Sequence, residues 1–299
     1  MPVPQIRRSF QILASTLAVG AGIIVAFQHD ASPLPTRQPT AAATPEPTPT
    51  PSPVPTPVPT PASGEAMPTS DLADWQMVFS DDFNTPVAMG QFPAAVSSKW
   101  SAYPSGWTDT SRNGRYAPQV VSVHDGMMDI YLHTEAGVHL VAAPVPVIPG
   151  ATTWNDQLYG RYAVRFRADP VPGYKTAWLL WPKSNTWPRD GEIDFPEGNL
   201  NSTISAFMHR QGATTGSDQD HYRTNARYPD WHTAVVEWAP GRVQFFLDGV
   251  SIGKSTTRVP NTPMHWVLQT ETAIDGSSVP DDAEGHVYID WVAIWSYAP

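Results

Sequence analysis

Between Pro33 and Pro61 the chain carries twelve prolines, most of them alternating with threonine or valine, as in TPEPTPTPSPVPTPVPTP. Proline fixes φ and has no N–H to donate, so such a tract can neither pair into a sheet nor join a core. It reads as an extended spacer with a reach of ~3.1 Å per residue, open to sugar attachment on its threonines. Residues 32–70 are therefore set apart as a disordered Pro/Thr-rich linker, which confines the folded part to residues 71–299. Ahead of the linker, Arg7 and Arg8 precede a mostly apolar run over residues 10–27. That run is long for a signal h-region and short for a membrane span. Residues 1–31 are read as an export segment, either a cleaved signal peptide or a retained membrane anchor, and the product as secreted or cell-surface.

The formal charge is −10. Residues 1–70 balance Arg7, Arg8 and Arg37 against Asp30, Glu46 and Glu65, so the whole excess belongs to residues 71–299. An acidic domain of this kind repels phosphate backbones, which excludes nucleic acid as a partner. With no cysteine there are no disulfides, no thiol nucleophile and no thiolate metal site. The histidines are scattered, without the HExxH spacing of a zinc enzyme.

Apolar alternation in the folded part has period two, the period of a strand with one buried face. In RYAVRFRA, Tyr162, Val164 and Phe166 fall on one side and Arg161, Ala163, Arg165 and Arg167 on the other. Met128, Ile130 and Leu132 alternate in the same way. RVQFFLDGVSIGKS predicts a hairpin turning at Asp248-Gly249. HVYIDWVAIWS predicts a long core strand. Many such strands, separated by Gly, Pro, Asn and Asp, predict an all-β antiparallel sandwich. All twelve tryptophans lie beyond residue 71. Trp238, Trp291 and Trp295 sit in apolar runs and are expected in the core, and Trp181 is expected to be buried. Trp107, Trp178 and Trp187 are candidates to stack on the apolar faces of sugar rings.

One stretch stands out chemically. DGEIDFPEGN places Glu192, Asp194 and Glu197 within six positions. In a strand, Glu192 and Asp194 share a face, away from Ile193 and Phe195. Strict alternation would send Glu197 to the opposite face, and a one-residue bulge returns it. Pro196 suits a bulge, one of the few strand positions that tolerates proline. Glu192 and Glu197 are then ~13 Å apart at Cα, and inward-leaning side chains bring the carboxyls to about 5 Å, the separation of a retaining glycosidase. Like charge from Asp194 helps one carboxyl keep its proton while another stays ionised.

E-I-D-F-P-E resembles the E-x-D-x-x-E signature of glycoside hydrolase family 16 in its bulged, laminarinase-like form. The resemblance covers nearly all of residues 75–296, through WQMVFSDDFN, LYGRYAVRFRADPVPGYKTAWLLWP, WHTAVVEWAPGRVQFFLDG and VYIDWVAIW in that order. It implies a concanavalin A-like jelly roll with a concave substrate cleft. It also implies Glu192 as nucleophile, Glu197 as general acid/base and Asp194 as the assisting carboxylate. Tyr174 and Trp178 fall where the family places two cleft tryptophans, and His209 near its cleft histidine. Arg161 and Arg165 could bond sugar hydroxyls or carboxylates, or simply face solvent. Some relatives hold a structural calcium with acids near both termini, which makes Asp82 and Asp290 the candidates here; no cofactor enters the reaction itself. The expected protein is a monomeric, exported, endo-acting hydrolase of β-linked glucan, with β-1,3-glucan first among linkages. Two alternatives stay open: a transglycosylase on the same chemistry, and a non-catalytic lectin-like module.

Overall fold

The computed structural model describes residues 61–151 and 155–299. The export segment 1–31, with its apolar run 10–27, and the linker up to residue 60 lie outside the described residues. Among those described, no helix is long and apolar enough to cross a membrane.

Seventeen strands follow in chain order: β1 (Trp75–Asp81), β2 (Trp100–Ala102), β3 (Gly114–Tyr116), β4 (Val121–His124), β5 (Met127–Glu135), β6 (Val138–Val141), β7 (Pro144–Pro146), β8 (Gly160–Ala168), β9 (Tyr174–Pro182), β10 (Glu192–Asn199), β11 (Thr203–His209), β12 (Gln219–Arg227), β13 (His232–Ala239), β14 (Arg242–Leu247), β15 (Val250–Ser255), β16 (Met264–Thr272) and β17 (Gly285–Tyr297). They form two main sheets, the sandwich that the period-two pattern predicts. A ten-stranded back sheet runs β15-β14-β13-β8-β17-β5-β6-β3, with β1 added on β17 and β4 on β5. A five-stranded sheet runs β12-β11-β10-β9-β16. Pairing is antiparallel apart from β3 with β6. The hairpin falls where expected, with Asp248 at φ 50° and Gly249 at φ 76° in the turn between β14 and β15.

The core lies between the sheets. From β8, Tyr162, Val164 and Phe166 face it; from β9 and β10 come Trp178, Leu180, Ile193 and Phe195, all buried. Phe166 meets Trp178 edge-on at 5.1 Å and Phe195 meets Phe245 at 5.7 Å, so the sheets lock through large aromatic contacts. Every second residue of β9 and β10 is spent on this core. The remaining half faces outward from the five-stranded sheet, and the cleft is built there.

The outer side of the back sheet holds a second apolar cluster of Trp75, Ala163, Val235, Ala239, Trp291, Ala293 and Trp295. Residues 62–70 cover it. Trp291 Nε1 donates to Glu65 O and Trp295 Nε1 to Ser70 O, both at 3.0 Å. Met67 packs on the cluster, and Arg165 pairs with Glu65 at 3.1 Å. Asp290, 2% exposed, accepts the N–H groups of Ala62 and Ser63 and the Ser63 hydroxyl. The linker as drawn from composition therefore ends too late. Residues 62–70 belong structurally to the domain, because two tryptophans and a buried carboxylate on the back sheet need hydrogen-bond partners that the sheet does not supply.

Removing that segment leaves Asp290 and two indole N–H groups without partners. A chain starting at residue 71 is expected to lose about 2–3 kcal/mol, or roughly 4–12 °C in Tm. An unchanged melting temperature would show that the segment does not secure the back sheet. A second expectation concerns Asp129, which is flanked by His286 Nδ1 at 2.8 Å and His124 Nε2 at 3.0 Å. Hydrogen bonds to carboxylates, Asp125 first for His124 and Asp129 for His286, raise both histidines above 6.5. Stability gained from charged histidine is then complete below pH 6.5 and fades as pH rises through the raised values. Denaturant melts of Asp129→Asn against the natural chain should differ most in mildly acidic buffer and converge at alkaline pH; a pH-independent gap would contradict the assignment.

Candidate active site

The site begins with a slip in register. Asp194 stands opposite Leu179 on β9 and Phe207 on β11, whereas Glu197 stands opposite Ala177 and Ser205. Thus β10 advances three residues while both neighbours advance two. This is the one-residue bulge that the proline predicts, and it carries a cis Phe195–Pro196 bond. Ile193 and Phe195, each 1% exposed, stay in the core. Glu192, Asp194 and Glu197 all emerge on the outer face and line one cleft of about 650 Å³. Two glycines frame the ribbon. Gly191 (φ 76°) would put a Cβ 2.7 Å from His209 O, and Gly198 (φ 149°) would put one 2.7 Å from Thr203 O. Neither position admits a side chain without a clash against the backbone of β11.

Each acid has a distinct setting. Trp187 Nε1 donates to Glu192 Oε2 at 2.7 Å. Burial first, then the charge of Glu197, pushes the Glu192 carboxyl upward; the hydrogen bonds from Trp187 and Asp194 act against that. Asp194 is likewise pushed well above the usual carboxylate range, by burial and then by both glutamates. The hydrogen bond between the two lowers Glu192 and raises Asp194. Glu197 instead accepts from Lys175 Nζ at 2.7 Å. Lys175, 4% exposed, also reaches Glu271 Oε1 at 3.6 Å. Glu271, 1% exposed, accepts the Thr110 N–H at 3.2 Å on its other oxygen. His209 Nε2 lies 3.5 Å from Asp194 and 3.7 Å from Glu192.

Aromatic rings border the acids. Trp107 is half exposed in the loop before β3 and packs on Tyr103 at 5.9 Å. That loop is tied to β16 by Asp109, which accepts from Thr272 N and Oγ1. Trp187 lies over Gly216, where a Cβ would sit 2.4 Å from its ring, and stacks near-parallel to Trp181 at 6.5 Å. Trp107, Trp187 and His209 are thus in the cleft with the three acids.

Four sequence candidates for sugar contact are not. Tyr174 and Trp178 are fully buried between the sheets. The reason is parity: Leu179 and Ala177 stand beside Asp194 and Glu197, so the cleft half of β9 is Lys175, Ala177, Leu179 and Trp181, and the alternate residues must face the core. Trp181 accordingly lines the cleft and is not buried as expected. Arg161 and Arg165 lie on the outer side of the back sheet, where Arg161 pairs with Glu237 and covers the Trp295 ring at 4.9 Å. Lys175 and Glu271 were missed. The alternation of β9 could have found Lys175, had it been counted from the acids across the ladder instead of from the tryptophans.

Among the described residues, the metal-capable trio of His, Asp or Glu groups is Glu192, Asp194 and His209. Asp82 and Asp290 do not meet in such a group. Asp82 bonds Asn84 at the surface, and both oxygens of Asp290 are taken by residues 62 and 63. These two acids do not fit a structural calcium site.

Two packed antiparallel sheets with a carboxylate-bearing bulged strand across the cleft define the class of jelly-roll glycoside hydrolases. The chain belongs to glycosyl hydrolases family 16, whose family model matches residues 116–293. A β-glucanase of Acetivibrio thermocellus is 27% identical over 185 residues, 60% of this chain and 52% of that protein. The match therefore spans about half the length of that relative. A β-glucanase of Rhodothermus marinus is 26% identical over 207 residues, 62% of this chain and 68% of that protein. Among solved structures, the laminarinase from Rhodothermus marinus aligns with a TM-score of 0.62 at 21% identity, covering 75% of this chain and 98% of that one. A family 16 non-specific endo-β-1,3(4)-glucanase, co-crystallised with an oligosaccharide, gives 0.62 at 22% identity over 77% and 98%.

Removing Lys175 leaves two carboxylates without their cation, one of them deeply buried. Lys175→Met is expected to cost about 3–5 kcal/mol. Adding Glu271→Gln should recover part of that loss in a double-mutant cycle. Strictly additive effects in denaturant melts would break the proposed coupling.

Proposed function

We propose that the domain is an endo-acting, retaining hydrolase of β-linked glucan, with β-1,3-glucan as first substrate. The observation that carries this reading is the slipped ribbon, which brings Glu192 and Glu197 to one face of one cleft with Asp194 between them. Glu192 attacks the anomeric carbon and forms a covalent glycosyl-enzyme. Trp187 and Asp194 hold Glu192 by hydrogen bonds, which fixes its direction of attack. Glu197 protonates the departing glycosidic oxygen, then withdraws a proton from the water that releases the sugar. Lys175 occupies Oε1 of Glu197, which leaves Oε2 to carry that proton. Trp107, Trp181 and Trp187 line the cleft and offer ring faces to the bound sugars. The β-glucanase names of the matched relatives support the choice of glucan.

The reading extends to an exported, monomeric enzyme held on or released from the cell surface. The Arg7-Arg8 pair, the apolar run and the Thr-Pro spacer support export.

The test is reducing-sugar release from β-1,3-, mixed-linkage and β-1,4-linked glucans and from agar-type galactans. Laminarin-type glucan should be cleaved fastest. Glu192→Gln should abolish turnover while polysaccharide binding survives, and Glu197→Gln should lower kcat by about 10²–10⁴. Near-normal turnover in Glu192→Gln would remove it as nucleophile. Glucan binding without any cleavage by the natural chain would favour a lectin-like module instead.

A further inference from the structure

Glu192, Asp194 and His209 each offer one ligand atom, and these atoms lie within 4.8 Å of one another. His209 Nδ1 faces the Gly216 carbonyl at 2.9 Å and donates to it, so Nε2 presents its lone pair. Asp194 Oδ2 is buried with no hydrogen-bond partner, on a residue 2% exposed. Glu192 Oε2 takes the Trp187 N–H from one side only. Lone pairs gathered in a dry place call for a positive centre among them.

The geometry suits a metal ion. Nε2 is 3.7 Å from the Glu192 oxygen and 3.5 Å from the Asp194 oxygen. Bonds of ~2.0–2.1 Å in a tetrahedron set ligand–ligand edges of about 3.3–3.4 Å, so the two edges to His209 need shifts of only a few tenths of an ångström. An imidazole held through its other nitrogen by a backbone carbonyl is the arrangement of a metal-binding histidine. One imidazole with two carboxylates favours zinc, cobalt, nickel or copper over the all-oxygen demands of magnesium and calcium. The ligands lie on two paired strands, with Glu192 directly opposite His209, and all three line the cleft.

We propose that Glu192, Asp194 and His209 form an inhibitory site for a divalent transition metal of the zinc class. Binding engages the Glu192 oxygen, which blocks attack on the sugar. The binding half of the proposal stands on geometry alone; the inhibition half rests on the glucan-hydrolase reading.

The experiment is calorimetric titration of the metal-free, full-length protein with zinc chloride, alongside cobalt substitution and glucan hydrolysis with and without chelator. One zinc per chain is expected, with the intense visible absorption of four-coordinate cobalt. His209→Ala and Asp194→Asn should each weaken zinc binding by at least about tenfold, with thermal melts confirming that both variants are folded. Zinc should suppress hydrolysis by more than tenfold, reversed by chelator, and His209→Ala should need correspondingly more zinc. Stoichiometric binding that is indifferent to both substitutions, or no binding at all, overturns the site even if hydrolysis is normal. Binding that depends on His209, in a protein that cleaves no glucan, keeps the site and sinks the glucanase reading.

Discussion

Three carboxylates on one face of one strand repel each other, and the structure depends on how that repulsion is contained. The slip in β10 forces the meeting: β10 advances three residues where its neighbours advance two, so Glu197 rejoins the side of Glu192 and Asp194. Without it Glu197 would point into the aromatic layer beside Phe195. The cost of three buried or half-buried like charges is met separately at each acid. A hydrogen bond joins Asp194 to Glu192, an indole N–H serves Glu192, and an ammonium serves Glu197. None of these compensations is interchangeable with another, which is how chemically identical side chains acquire different roles.

The surroundings follow from that ribbon. Because the ladder fixes parity, setting the acids outward also sets Lys175, Ala177, Leu179 and Trp181 outward on β9 and sends Tyr174 and Trp178 into the core. The bulky inward residues make the sandwich; the mixed outward ones make the cleft. Glu271 on β16 closes the chain of charges, since it shares Lys175 with Glu197 and holds the Trp107 loop through Thr110. A polar contact deep in the sheet is thereby connected to an aromatic ring at the rim. On the opposite sheet, residues 62–70 perform a purely structural task, capping two indoles and the Asp290 carboxylate.

Much of this was legible in the residues. Period two in RYAVRFRA and the Asp248-Gly249 turn identified the sandwich, and the proline between Asp194 and Glu197 identified the bulge, because each is a local rule that tertiary context leaves intact. What escaped depends on which sheet, and which side of it, a strand occupies. Arg161 and Arg165 alternate with core residues as a cleft strand would, but β8 lies in the back sheet, so their polar side faces away from the acids. Tyr174 and Trp178 were placed by resemblance of residue type, whereas strand parity puts Lys175 there. The linker's end was set by composition, which carries no information about the hydrogen bonds Ser63 and Glu65 make across the chain.

The stereochemistry of the first product formed reports the carboxyl spacing most directly. Proton NMR during the opening minutes of β-1,3-glucan hydrolysis, before mutarotation, distinguishes the new reducing ends. A glutamate pair held about 5–5.5 Å apart by the slipped ribbon delivers the β-anomer first, while a pair spread to about 6.5–9.5 Å around a water delivers the α-anomer. Initial β-anomer is the result this account requires; initial α-anomer would contradict it.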